Sequence, residues 1–85
     1  LVMNKHIELV EKWLADPSSV SKAELKANYS AASAVYDAAS AAARMANTVL
    51  YNADIASFSA AYGVNADSAE EWVSNYHKSV KEQGQ

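Results

Sequence analysis

Few side chains in this 85-residue chain are of types that do chemistry, and their spacing decides what each can do. The two histidines, His6 and His77, are far apart, and no cysteine is present to complete a usual four-ligand zinc site. No carboxylate stands three or four residues from His6. His6 therefore reads as a histidine at the edge of an apolar helix face, packed against Trp13. His77 follows Tyr76 and reads as a surface residue. Ser30, Ser33 and Ser40 have no histidine near them in sequence to act as base, so they read as small surface residues rather than nucleophiles. Two glycines cannot build a phosphate-cradling loop. Asp37 and Arg44 lie two helical turns apart. They are solvated in a monomer and able to pair across chains in an antiparallel dimer, where an exposed pair worth about 0–1 kcal/mol sets register more than affinity. Tyr29 and Tyr36, one heptad apart, are either anchors for a partner or bulk that fills space between alanines. Their place beside Leu25 and Leu50 favours the second reading. No catalytic residue, metal ligand or cofactor site is predicted, and the chain reads as a non-enzyme.

The elements that hold these residues read as helices. Met3, Ile7, Val10 and Leu14 recur at steps of four, three and four, predicting an amphipathic helix over Asn4–Ala15 with Leu9 and Trp13 widening its face. Asp16-Pro17 stops it, because the residue before a proline is pushed out of the α region. Ser21-Lys22-Ala23-Glu24 has the form of a capping box, and Val20 and Leu25 occupy the two positions of a hydrophobic staple. From there Leu25, Tyr29, Ala32, Tyr36, Ala39, Ala43, Ala46 and Leu50 alternate steps of four and three. A polar stripe (Lys26, Ser30, Ser33, Asp37, Ser40, Arg44, Asn47) keeps the same rhythm one residue later. A strict seven-residue repeat implies coiled-coil-like packing, and alanine at the seam lets a partner helix approach closely.

Ala31, Val35, Ala38, Ala42, Met45 and Val49 form a second apolar stripe, which predicts that this long helix is the centre of a bundle. After Leu50 the large residues Tyr51, Ile55, Phe58 and Tyr62 lie one residue out of phase with the seam. Either the helix continues and changes partner, or it breaks near Asn52-Ala53-Asp54; Asn and Asp at that point favour a kink or break. Gly63 suits a left-handed helix end. Asp67-Ser68-Ala69-Glu70 resembles a further N-terminal cap, followed by an apolar stripe of Ala69, Val73, Tyr76 and Val80 joined by Trp72, and residues 82–85 read as a fraying tail.

The expected fold is all-α: a single domain over residues 1–85, a small bundle of three or four helices with the alanine-rich, heptad-patterned helix at its centre. Half the residues are hydrophobic, which argues against disorder. Eighteen are alanine, as many as Leu, Ile, Val, Phe and Trp together, so the core is thin. Without cysteines for disulfides, oligomerisation is the supplement left open to it. A net charge of −3 with no basic cluster disfavours nucleic acid, and no run of eighteen apolar residues predicts a membrane span. The start shows no signal-peptide pattern. Met3-Asn4-Lys5 reads like a native beginning, with Leu1 and Val2 as remnants.

The stretch MNKHIELVEKWLADPSSVSKAELKAN, Met3 to Asn28, resembles the start of small alanine-rich accessory proteins of temperate phages and prophages of enteric bacteria. Tyr29 to Ala43 is similar to their helical repeats rich in Ala, Tyr and Asp, although serines stand where those repeats often carry aspartates. The resemblance implies a cytoplasmic setting in an infected or lysogenic cell and carries no site residues. The expected function is a protein–protein interaction module, one that modulates a host protein. The alternative is a small DNA-binding or transcription-modulating protein. A helix from Lys22 to Leu50 spans ~43 Å at ~1.5 Å per residue, against a radius of gyration of ~12 Å for a compact domain of this size. The molecule is therefore elongated, or the helix bends, or a second copy covers the seam. The thin core favours the last, a homo-oligomer and above all a dimer.

Overall fold

In a computed structural model the chain is an all-α bundle. It describes the backbone of residues 4–40, 44–62 and 66–84, and the side chains of 4–38, 48–62 and 66–82. Four helices follow in order: α1 Lys5–Ala15, α2 Lys22–Ser40, α3 Arg44–Tyr62 and α4 Ala66–Gly84, with a single 3₁₀ turn at Pro17–Ser19 between the first two.

Local chemistry sets the first boundaries. Asn4 caps α1: its side-chain oxygen accepts from the His6 N–H at 2.8 Å and the Ile7 N–H at 3.3 Å, satisfying two of the donors that a helix start leaves open. Asp16 ends α1 in an extended conformation and then caps the Pro17 turn, accepting from Ser18. The capping box forms as the sequence predicts. The Ser21 N–H donates to Glu24 Oε1 at 2.9 Å and the Glu24 N–H donates to Ser21 Oγ at 3.1 Å. The hydrogen bonds that the Glu24 carboxyl receives from Ser21, first from its backbone N–H and then from its side chain, hold it below its ordinary range. At the other end of the chain, the described part of α4 begins at Ala66, which puts Asp67 inside the first turn rather than at the cap. α4 remains helical through Gly84, across most of the tail expected to fray. The predicted helix end at Gly63 lies outside the described residues.

The single helix expected from Lys22 to Leu50 is instead two helices that fold back on one another. Tyr29 touches Phe58 and Tyr36 touches Tyr51, so residue numbers rise along α2 as they fall along α3, and the pair is antiparallel. The physical reason is that the residues of α3 after Leu50 cover the α2 part of the seam within one chain: Tyr29 meets Phe58 and Tyr62, and Tyr36 meets Tyr51. The body measures 35 × 23 × 22 Å with a radius of gyration of 12.1 Å, too short for a helix of ~43 Å. Nor does α3 break near Asn52. It runs unbroken from Arg44 to Tyr62. Asn52 spends its amide on α4, donating to the Asn75 carbonyl at 3.3 Å and to Ser79 Oγ at 3.2 Å, instead of competing for its own backbone.

The centre of the bundle is α3, which packs against all three other helices, while α2 and α4 do not meet. Helices α2, α3 and α4 thus form one antiparallel layer, and α1 lies across one side of it, touching each. The core joins Ile7 and Val10 of α1 to Leu25 of α2, Ala53, Ala56, Ala60 and Ala61 of α3, and Ala69, Val73 and Tyr76 of α4. The second apolar stripe of α2 is not buried as expected. Ala31, Val35 and Ala38 are exposed, because α2 sits at the edge of the layer. Ala42 lies outside the described residues, as does the Met45 side chain.

Candidate interaction face

Each side of α3 has a different neighbour, and its sequence shows why. At 100° per residue, Ala53, Ala56, Ser57 and Ala60 share one face, the one under α1. Asn52 and Ser59 project to the α4 side, where Ser59 Oγ lies 3.2 Å from Ser68 Oγ. Tyr51, Ile55, Phe58 and Tyr62 lie about 180° from the α1 face. No described element covers them. Tyr51 is 41% exposed, Phe58 44% and Tyr62 53%, and Ile55 is half-buried. These are large rings on a helix whose core side is mostly alanine and serine. The bulk of α3 points outward.

The rings gather in two triads, one at each end of this row. At the C-terminal end of α3, Tyr29 stands edge-on to Phe58 at 5.3 Å and to Tyr62 at 5.7 Å, and Phe58 lies 5.6 Å from Tyr62. The Lys26 ammonium caps this end, 5.4 Å from the Tyr62 centroid. Toward the other end, Tyr51 packs between Tyr36 of α2 at 5.5 Å and Trp72 of α4 at 6.1 Å. Edge-on and tilted ring pairs each contribute about 0.5–1.5 kcal/mol beyond area burial, so the rings are held in place before anything binds.

The described positions of the expected interaction seam are buried or half-buried within the molecule. Leu25 and Ala32 are buried, and Tyr29, Tyr36 and Leu50 are half-buried, the two tyrosines against α3. The side chains of Ala39 and Ala46 and all of Ala43 lie outside the described residues. For the two seam tyrosines of α2, the helix that covers them is α3 of the same chain.

The polar groups are occupied in structural roles. His6 is not at a boundary but buried. Asn28 donates its amide to the His6 carbonyl at 3.2 Å and to Ser57 Oγ at 3.2 Å. That leaves its carbonyl oxygen facing His6 Nδ1 at 2.9 Å, so Nδ1 carries the hydrogen. Ser57 in turn donates to the Ala53 carbonyl. The network ties α1, α2 and α3 together at one point. His77 is on the surface, as expected, and lies 2.8 Å from Glu11 of α1 in an exposed pair. Burial raises the Tyr76 hydroxyl above its ordinary pKa, against a backbone hydrogen bond from Asn4, with Glu11 adding to the rise. Among the described residues no group of three or more His, Cys, Asp or Glu converges as a metal site would require. Nor, among the described residues, is any helix long and apolar enough to cross a membrane.

Two features escaped the sequence reading. The first is Asp54, which is 8% exposed and has one carboxylate oxygen, Oδ1, buried without a hydrogen-bond partner. Burial raises its pKa, and the negative charge of Asp37 on α2 raises it further. The second is a cavity of about 260 Å³ between α1, the 3₁₀ turn, the start of α2 and the end of α3, lined by Trp13, Val20, Lys22, Leu25, Ala60 and Ala61. The exposed row of α3 was legible as a phase shift after Leu50; its exposure was not. Compared with protein-family models, with curated proteins and with solved structures, the chain matches none.

Proposed function

We propose that this chain is a non-enzymatic protein-interaction module whose docking surface is the open face of α3. The observation that carries the reading is the row of exposed rings at Tyr51, Phe58 and Tyr62, opposite the buried face of the same helix. Large exposed rings in one patch are the usual mark of an interaction site, and tyrosine is enriched among residues that dominate binding energy. Because the rings already brace one another, docking costs little side-chain entropy. The patch takes a protein surface, either a second copy or one of the host proteins to which the phage resemblance of residues 3–28 points. That resemblance also supports a cytoplasmic setting.

The test uses tagged wild-type chain and a Phe58→Ser variant, each incubated with bacterial lysate to which untagged chain has been added. Phe58 is already half in solvent, so the variant is expected to keep its helical circular dichroism. Proteins retained by wild type and lost from the variant support the reading. Equal retention by both, or none by either, refutes it.

A further inference from the structure

We infer that the open α3 face receives a second copy of the same chain, in a two-fold dimer with the two α3 helices antiparallel. The inference rests on the interaction reading above and names the occupant.

Two observations select a second copy. The first is the spacing of the row. An interface between identical chains related by a two-fold must be self-complementary. Tyr51, Ile55, Phe58 and Tyr62 are spaced four, three and four, which reads the same in both directions. Laid antiparallel about its midpoint, the row sets Tyr51 against the partner's Tyr62 and Ile55 against the partner's Phe58. The two ring triads then exchange places across the axis, so the Tyr29 cluster of one chain meets the Tyr36 cluster of the other. The second is charge. The same operation lays α2 over the partner's α2. Lys26 at the Tyr62 end and Asp37 at the Tyr36 end are both exposed, and both project toward the open side of α2. The two-fold brings Lys26 of each chain to within about one helical turn of Asp37 of the other. That end also holds Asp54, which burial and then the Asp37 charge keep above the ordinary carboxyl pKa and whose buried Oδ1 has no partner among the described residues. A lysine from the second copy sets a cation beside these two carboxylates.

Light scattering or sedimentation equilibrium on the full chain, from ~1 to ~300 μM, reads the association directly, since a weak specific dimer is populated in that range. The expected result is a dimer for wild type and a monomer for Phe58→Glu. Lys26→Asp and Asp37→Lys should each weaken dimerisation by about five- to twenty-fold, because each disrupts two symmetry-related exposed pairs. The double swap should restore affinity to within about two-fold of wild type. These charge swaps are at exposed positions and leave the core intact, so they decide the matter even if Phe58→Glu fails to fold. A monomer at the highest concentration overturns the inference, as does a dimer that both Phe58→Glu and the swaps leave unchanged, or two swaps whose losses merely add. A monomeric chain that still loses a bound protein on Phe58→Ser leaves the interaction reading standing and removes only the second copy.

Discussion

Asp54→Ala should make this protein more stable at neutral pH, although it deletes a charged group from the central helix. Asp54 is 8% exposed, and its Oδ1 is buried without a partner. An unsatisfied buried acceptor costs about 1–3 kcal/mol, more when charged. Alanine is also the better residue in the interior of α3, by up to ~0.7 kcal/mol. Against these gains stands a small loss of packing where the carboxylate was. The net expectation is a gain of about 1–3 kcal/mol at pH 7. For a domain of this size that is roughly 4–8 °C in melting temperature per kcal/mol. The pH dependence separates the charge from the propensity. Burial, and then Asp37, raise the folded-state pKa above the ordinary 3.8. Folding therefore favours the protonated acid. The penalty is absent below about pH 3.8 and grows as pH rises through the folded-state value. The advantage of the variant should accordingly be largest near neutrality and shrink toward the small propensity gain in acid. Urea titrations of both proteins by circular dichroism, at pH 7 and near pH 3.5, measure it. A variant less stable than wild type at pH 7, or an advantage that does not change with pH, would falsify the account of Asp54 as an uncompensated buried charge.

Two further perturbations test the supports of the fold. Ser21→Ala should cost about 1 kcal/mol by removing the oxygen that receives the Glu24 N–H, read from chemical denaturation. The pKa of Glu24 is lowered by its bonds to Ser21, so the stabilisation it contributes is present above about pH 4.5 and lost as pH falls below; wild type should show that loss and Ser21→Ala show less of it. Asn28→Ala should cost more than the cap, about 2–4 kcal/mol, because it strands the ring nitrogen of buried His6 and removes the donor to Ser57 Oγ. Its cost should shrink when Ser57→Ala is combined with it, as expected for members of one network.

The helices were legible because their signals are local. A capping box, a proline stop and a four-three rhythm each report on one or two turns of chain. The long seam misled because a heptad pattern records which residues share a face, and says nothing of where the chain turns. Leu25 to Ser40 and Arg44 to Leu50 stay in phase with one another, yet they lie on two helices facing each other. Tyr29 and Tyr36 are half-buried and stand against rings, and their partners Phe58 and Tyr51 lie in the part of the sequence that looked out of phase. The buried polar ties at Asn28, Asn52 and Ser57 had no such local signal. Their partners are 20 or more residues away, apart from the Ser57 bond to Ala53 within α3.

The phase shift at Tyr51 explains why a docking face exists on so small a molecule. A helix at the centre of a layer must offer something to every neighbour. On α3 the α1 side takes small residues, because Ile7 and Val10 fill the space from above. The α4 side takes Asn52 and Ser59, which trade hydrogen bonds for apolar area. The aromatic residues of α3 occupy the remaining direction, where the layer ends and Tyr29, Tyr36 and Trp72 reach them only from the sides. An 85-residue protein with an alanine core has little apolar surface to give away. Leaving its largest rings half in solvent is costly unless another surface covers them, and exposure of that kind is what association reclaims.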